Sequence, residues 1–272
     1  MVRQHGAVVL CAAALAFGTG ARVRAATLEP ESVAGWLAYV AAAETRMARE
    51  LSSRDRFLAL DFDESAAADR RRLMEGELVI RLVEAVDSNG RPILVRSAAV
   101  HHWRGSIYVP GARLDRMIRA LQTEPPTWQQ DVLKAAIVER SPHHMTVALT
   151  IQKRKLVTVV YNTQHDVAFR EHGPTRATST SVSTRIAELE NPGTVNEHER
   201  PAGDDRGFLW RLNAYWRYEQ VPGGVLVECE SISLSRDIPM ALRYLVGPLI
   251  ESTARESMAR TLTAIRGRFA VE

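Results

Sequence analysis

The chain has 272 residues, of which 46% are hydrophobic and 25% charged, and this composition excludes a fibrous or a disordered protein. Three arginines in residues 1–25 account for its formal charge of +3, because the other 32 basic residues balance the 32 acidic ones. The charge therefore gives no reason to expect a nucleic-acid partner. Of the two cysteines, only Cys229 lies beyond residue 25, so no intrachain disulfide is expected there.

Residues 1–25 predict a signal peptide. Arg3 precedes an apolar run over residues 7–17, and small residues before Ala26 are typical of a cleavage site. The run is too short to cross a bilayer, which takes roughly 20 apolar residues. We therefore expect a periplasmic or secreted protein with no transmembrane span in the mature chain. A retained membrane anchor is the alternative.

The chain before residue 122 mixes helix with extended segments. Trp36, Leu37 and Val40 recur at helical spacing in the first segment. We expect a helical extension over 26–75 and a single ligand-binding domain over 76–272. The predicted elements are a helix over 30–51, a loop or short helix over 61–72, a strand over 76–85, a turn over 88–92, extended chain over 92–111 and a helix over 114–121.

The chain after residue 128 consists mainly of predicted strands. Alternating apolar residues and β-branched residues indicate extended segments up to residue 190, followed by a long polar connection. The apolar stripe of the last segment predicts a helix over 240–269, which Pro248 should kink or interrupt near Gly247. The predicted strands are 132–140, 145–153, 156–170 and 175–190, with the polar connection over 191–207.

Residues 207–235 predict a β-hairpin whose turn has the sequence VPGG, in which Pro presets φ and Gly supplies positive φ. Closing the turn there places Arg217 opposite Glu228 and Trp216 opposite Cys229. A slip by one residue would place the aromatic face against glutamates, so this register is favoured. We expect Trp216 to be a core residue.

The two faces of this hairpin differ. One face carries large rings and small residues, and the other carries the alternate residues from Arg211 to Glu219, which are mostly polar. The small residues form a depression between the rings, which either receives a closely packed helix or forms the floor of a ligand cavity. Phe208 belongs to the same predicted face. The candidate ligand-binding residues are Trp210, Leu212, Ala214, Trp216, Tyr218, Cys229, Ser231 and Ser233.

Five stretches carry a resemblance to a known family. They are HHWRGSIYVPGARL, STRIAELENPG, GFLWRLNAYWRYEQ, CESISLSRDIP and ARESMARTL. With the order of elements over residues 90–270, they resemble an exported bacterial branch of the START-related helix-grip superfamily (SRPBCC-type), which contains polyketide cyclases and lipid-transfer domains. The resemblance implies an α+β fold in which a curved antiparallel sheet grips a long C-terminal helix. It also implies an apolar tunnel between the two, which favours the cavity.

The motifs of catalysis and metal binding are missing from the sequence. No H-x-x-x-H or C-x-x-C spacing is present, adjacent histidines on a strand point to opposite faces, and Ser106 lacks the pattern of a nucleophile elbow. We therefore expect no metal, no cofactor and no catalytic residue.

Three hypotheses for function remain. The first is a protein that binds an apolar or amphipathic, lipid-like small molecule and contacts membranes transiently. The second is an enzyme of the cyclase or hydratase kind, in which His101, His102 or Tyr215 acts as acid or base. The third is an envelope interaction protein whose cavity is filled.

Overall fold

The fold is α+β, as predicted, with helices packed on both faces of an antiparallel sheet. A computed structural model of the protein describes residues 28–154, 158–237 and 240–271. The predicted signal peptide over residues 1–25 lies outside the described residues. Among the described helices, none is both long and apolar enough to cross a bilayer.

The described residues form four α-helices and a short 3-10 helix at Ala59–Phe62. The α-helices are α1 (Pro30–Leu51), α2 (Ala66–Met74), α3 (Leu114–Thr123) and α4 (Met240–Phe269).

The part of the chain that the structure describes forms a sheet of nine strands, in the order β1-β2-β9-β8-β6-β5-β4-β3, with β7 paired to β6. The strands are β1 (Val79–Leu82), β2 (Ala98–Pro110), β3 (Val132–Arg140), β4 (His144–Arg154), β5 (Thr158–Glu171), β6 (Arg176–Glu190), β7 (His198–Glu199), β8 (Arg211–Val221) and β9 (Gly224–Arg236).

The N-terminal helix α1 covers one face of the sheet, which we call the α1 face. Pro30 lies in the first turn of the helix, where a backbone N–H has no acceptor within the helix. The missing N–H of proline therefore costs no hydrogen bond there. Trp36, Tyr39 and Met47 recur at helical spacing and pack in one apolar cluster with Ile232 of β9. The extension predicted over 26–75 therefore packs directly on the sheet.

The C-terminal helix α4 covers the opposite face, which we call the α4 face. Met258, Leu262 and Ile265 are buried in the main apolar cluster together with β2 and β9. A Cβ atom built on Gly105 would lie 2.7 Å from Leu262 Cδ1 and 2.7 Å from Met258 Cγ, so this part of the helix touches the backbone of β2. The helix-grip arrangement that the resemblance implies is confirmed.

The predicted register of the β8–β9 hairpin is confirmed. Val221 pairs with Gly224, and Arg217 pairs with Glu228. Trp216 pairs with Cys229 and packs against the main apolar cluster, but its ring is half-buried rather than fully enclosed.

The loop or short helix predicted over 61–72 agrees with the structure, where this segment overlaps the 3-10 helix and α2. Two further details differ from the predictions. The strand predicted over 76–85 is only four residues long. Helix α4 continues without a break through Gly247 and Pro248, so the predicted interruption does not occur.

Candidate ligand-binding groove

The strand register aligns residues of β5, β6, β8, β9 and β2 in rows across the α4 face. The row nearest the end of α4 contains Cys229 and Phe169, which are buried in the cluster with Met258 and Leu262. We call it the inner row. Its members, in order from β5 to β2, are Phe169, Ser179, Trp216, Cys229 and Gly105.

The next row, which we call the middle row, is less covered. Every one of its five residues is half-buried, although each is a direct neighbour of the next in the centre of the sheet. Its members are Val167, Ser181, Ala214, Ser231 and Trp103. Because the three central side chains are small, the row forms a depression between two large side chains.

A third row, the outer row, continues the same surface. Its members are His165, Ser183, Leu212, Ser233 and His101. Ser183 Oγ accepts the backbone N–H of Leu212 at 2.9 Å, which holds β6 against β8 at this point. We call the middle and outer rows together the groove floor.

The groove floor carries hydroxyls and rings but no Asp, Glu, Lys or Arg. Burial lowers the pKa of His165 to about 4, so its imidazole is neutral near pH 7. Its Nε2 lies 3.0 Å from the Thr163 hydroxyl and its Nδ1 lies 3.4 Å from the Ser181 hydroxyl. The floor therefore offers hydrogen bonds and contains no carboxylate, ammonium or guanidinium group.

Six of the eight predicted site residues lie in these rows, and two do not. Tyr218 lies deeper in the main cluster, where its hydroxyl is 3.1 Å from the Ser179 hydroxyl. Trp210 lies in the cluster under α1, and its Nε1 donates to Asp205 at 3.0 Å, so the shared face predicted for it is wrong. Phe208 precedes β8 and is exposed, so it also lies off that face.

The sequence interpretation missed the contribution of β6. Ser179, Ser181 and Ser183 face α4, whereas the β-branched residues that mark the strand lie on the other side. The alternation of small and β-branched residues in ATSTSVST was a usable signal, because in a strand it separates two faces. The partner residue His165 could not be placed, since its pairing with Ser183 follows an irregularity in the β5–β6 register.

The α1 face of the same strands is charged and buried, although it was predicted only as a polar side. His102 Nε2 lies 2.5 Å from Glu230 Oε1, and its Nδ1 lies 3.0 Å from the Tyr39 hydroxyl. Because the Tyr39 hydroxyl accepts the backbone N–H of Ala85 at 3.1 Å, its own hydrogen can reach Nδ1. The Nε2 of His102 thus donates to the Glu230 carboxylate.

Two glutamates anchor this charged face. Burial opposes the ionisation of Glu230, but the hydrogen bond from His102 and the charge of Arg46 outweigh it and lower the Glu230 pKa to about 2. Glu228 accepts the backbone N–H groups of Ala59 and Leu60 at 2.6 and 3.1 Å. These contacts attach the N-terminal segment to β9.

The three acid–base candidates are separated by the sheet. His101 lies in the outer row, whereas His102 and Tyr215 are buried on the α1 face. The Tyr215 hydroxyl donates to Glu44 of α1 at 2.8 Å. These three side chains therefore do not form one catalytic group.

Two surface cavities lie away from the groove floor. One of about 380 Å³ adjoins α2, and its Arg70 already binds Asp61 at 2.6 Å and Glu219 at 2.7 Å. The other, of about 410 Å³, lies between Thr123 and Arg140.

Within the described ranges, no three His, Cys, Asp or Glu side chains are grouped as a metal site would require. The cavity expected between sheet and α4 stays a prediction.

Comparisons with known proteins concern the fold. No family model matches the sequence, and no curated protein matches it. Among solved structures, a STAR-related lipid transfer protein from Xanthomonas axonopodis is 16% identical, with a TM-score of 0.45 over 69% of this chain and 97% of that one. A human lipid transfer and protein localization domain is 10% identical, with a TM-score of 0.41 over 78% of this chain and 99% of that one.

A Streptomyces aromatase/cyclase is 11% identical, with a TM-score of 0.39 over 62% of this chain and 93% of that one. Likenesses of this size carry no weight for function, which has to be argued from the groove itself.

Proposed function

We propose that the protein is an exported carrier or sensor that binds an apolar or amphipathic small molecule between the sheet and α4. The middle row supports the proposal most directly. Its five residues are half-buried in the centre of a sheet whose neighbouring row is closed by α4. A packed interior leaves few voids larger than a water molecule, so a half-buried row in the centre of the sheet supports a space for a ligand there.

The C-terminal part of α4 is attached to the sheet at several points. Near its C-terminal end, α4 touches Gly105 on β2, and Lys153 of β4 donates to its Ser257 at 2.8 Å. Arg260 of α4 also contacts Asp131 at 3.3 Å. The helix is thus fixed across the sheet beside the inner row, and this supports a ligand position over the rows beyond it.

The chemistry of the floor supports an uncharged or weakly polar ligand portion. Leu212, Ala214 and Trp103 provide apolar contact, and the serine hydroxyls provide hydrogen bonds. An ammonium group would find no Asp or Glu among the floor residues and a carboxylate no Lys or Arg, and burying a charged group unpaired is costly. The proposal is therefore a ligand whose chain or ring system lies on the floor.

Mass spectrometry of a solvent extract of the purified protein tests this function. We expect an apolar molecule to co-purify with the wild-type protein and to be lost from Ser231→Leu, which fills the middle row. Val138→Ser serves as the matched control, because Val138 is exposed on β3 and far from the floor in strand order. An extract without ligand, from protein that also takes up no apolar probe, would refute the proposal.

A further inference from the structure

The two edges of the sheet differ in length and in cover. At one edge, β1 has four residues and contacts α2 and α4. At the other edge, β3 has nine residues, and within the described part of the chain it pairs only with β4. Six of these nine residues are exposed. An edge strand of this length presents backbone N–H and C=O groups that can pair with another strand.

Two opposite charges lie on the same face of this edge strand. Three residues of β3 pair with alternate residues of β4, so their side chains share the α1 face. They are Lys134 opposite Thr150, Ala136 opposite Ala148 and Glu139 opposite Thr146. An irregularity in the register between Ile137 and Glu139 brings Glu139 to this face, where regular alternation would place Val138. The two charges therefore lie symmetrically on either side of Ala136.

Both charges are available to a partner. Lys134 and Glu139 are exposed, and neither makes a hydrogen bond or an ion pair with the described residues. Two apolar side chains of the same strand are also exposed, Leu133 to 51% and Val138 to 62%. Ile137 and Val138 line the surface cavity of about 410 Å³, which gives room for side chains beside the strand. The edge therefore combines unused charges with apolar surface.

The pattern of β3 is complementary to itself. A two-fold axis through Ala136, perpendicular to the sheet, forms an antiparallel pair in which Lys134 of one copy lies opposite Glu139 of the other, twice. The same axis brings Ala135 opposite Ile137 on the α4 face. Charged residues on an edge usually keep sheets apart. Here the opposite signs attract each other, and a slip in register would lose both pairs.

We propose that β3 pairs with β3 of a second copy of this chain, in an antiparallel register centred on Ala136. The pairing joins two sheets into one through two symmetric contacts between Lys134 and Glu139. One strand from each copy buries less surface than a standard interface, so the dimer is weak and depends on protein concentration. The rows of the groove floor do not include β3, so the dimer does not depend on a ligand in the groove.

Charge reversal tests the pairing in the purified protein. Sedimentation equilibrium over a wide range of protein concentration should show a monomer–dimer equilibrium. Glu139→Lys replaces two attractive pairs with two repulsive ones, so its dissociation constant should rise at least about tenfold. Glu75→Lys is the matched control, because Glu75 is exposed at the end of α2, which packs against the opposite edge strand β1. This control should leave the dissociation constant unchanged.

The reciprocal variant tests the register. Lys134→Glu alone should weaken the dimer as Glu139→Lys does. An equal mixture of the two variants should form a mixed dimer about as stable as the wild-type dimer, because two positive charges on one copy then face two negative charges on the other. This recovery would also show that both variants fold. A wild-type protein that stays monomeric, a dimer that the reversals leave unchanged, or a mixture that recovers nothing would overturn the pairing.

Discussion

Ser231→Leu separates an open groove from a packed core, and Gly105→Ala provides its matched control. Ser231 is half-buried between Ala214 and Trp103 in the middle row. If the space above it is open, the larger side chain fills that space without displacing a neighbour. The free energy of unfolding should then stay within about 1 kcal/mol of the wild-type value or rise, because added apolar burial is favourable.

The control lies one row away, where α4 is already in contact. The new methyl group of Gly105→Ala would lie 2.7 Å from atoms of Leu262 and Met258, well inside van der Waals distance. Both side chains would have to move, and overpacking of this kind costs about 1–3 kcal/mol. The two substitutions should therefore differ in stability although they add carbon to the same face of the sheet.

Two measurements on both variants decide the matter. Denaturant unfolding gives the change in stability, and an apolar fluorescent probe reports uptake. We expect Ser231→Leu to keep its stability and lose the probe, and Gly105→Ala to lose stability and keep the probe. If Ser231→Leu is destabilised as much as Gly105→Ala and the wild-type protein takes up no probe, the groove is packed. The hypothesis of an envelope interaction protein would then replace the proposal of a ligand carrier or sensor.

Three other predictions concern the core, the charged face and the N-terminus. Trp216→Ala should cost about 1–3 kcal/mol by denaturant unfolding, less than a fully buried ring, because Trp216 is half-buried and stacked on Tyr218. Because the pKa of Glu230 is lowered to about 2, its carboxylate should contribute about 3 kcal/mol to the free energy of unfolding well above its unfolded pKa and lose about half of this by about pH 3, a loss that unfolding titrations should not find in Glu230→Gln. N-terminal sequencing of exported protein should begin at or near Ala26, and Met1 from a cytoplasmic fraction would contradict this.

The β8–β9 hairpin could be predicted from sequence because its determinants are local. The turn residues fix where the strands close, and the opposite charges of Arg217 and Glu228 select one register. The row that Ala214 and Ser231 share follows from that register. The extension of the row to Ser181 depends on which strand lies beside β8, and this is set by the long connection between β6 and β8.

The burial of the charged face could not be predicted from the same strand. Alternation shows that Arg217 and Glu219 share a side with Tyr215, but not whether water or protein lies over them. Their cover is supplied by a segment about 160 residues earlier in the chain, where Glu50 binds Arg217 at 2.5 Å. The helical spacing of apolar residues in α1 predicts that one face of the helix is buried. Which strands that face packs against depends on the tertiary fold.

The two faces of β2, β8 and β9 depend on each other through this alternation. A shift of one residue in β9 would bring Glu228 and Glu230 to the α4 face and send Ser231 to the α1 face. Such a shift would leave Arg46, His102 and the N–H groups of Ala59 and Leu60 without their acceptors in a buried layer. The contacts with the N-terminal segment therefore hold β9 in the register that keeps Glu228 and Glu230 off the groove floor.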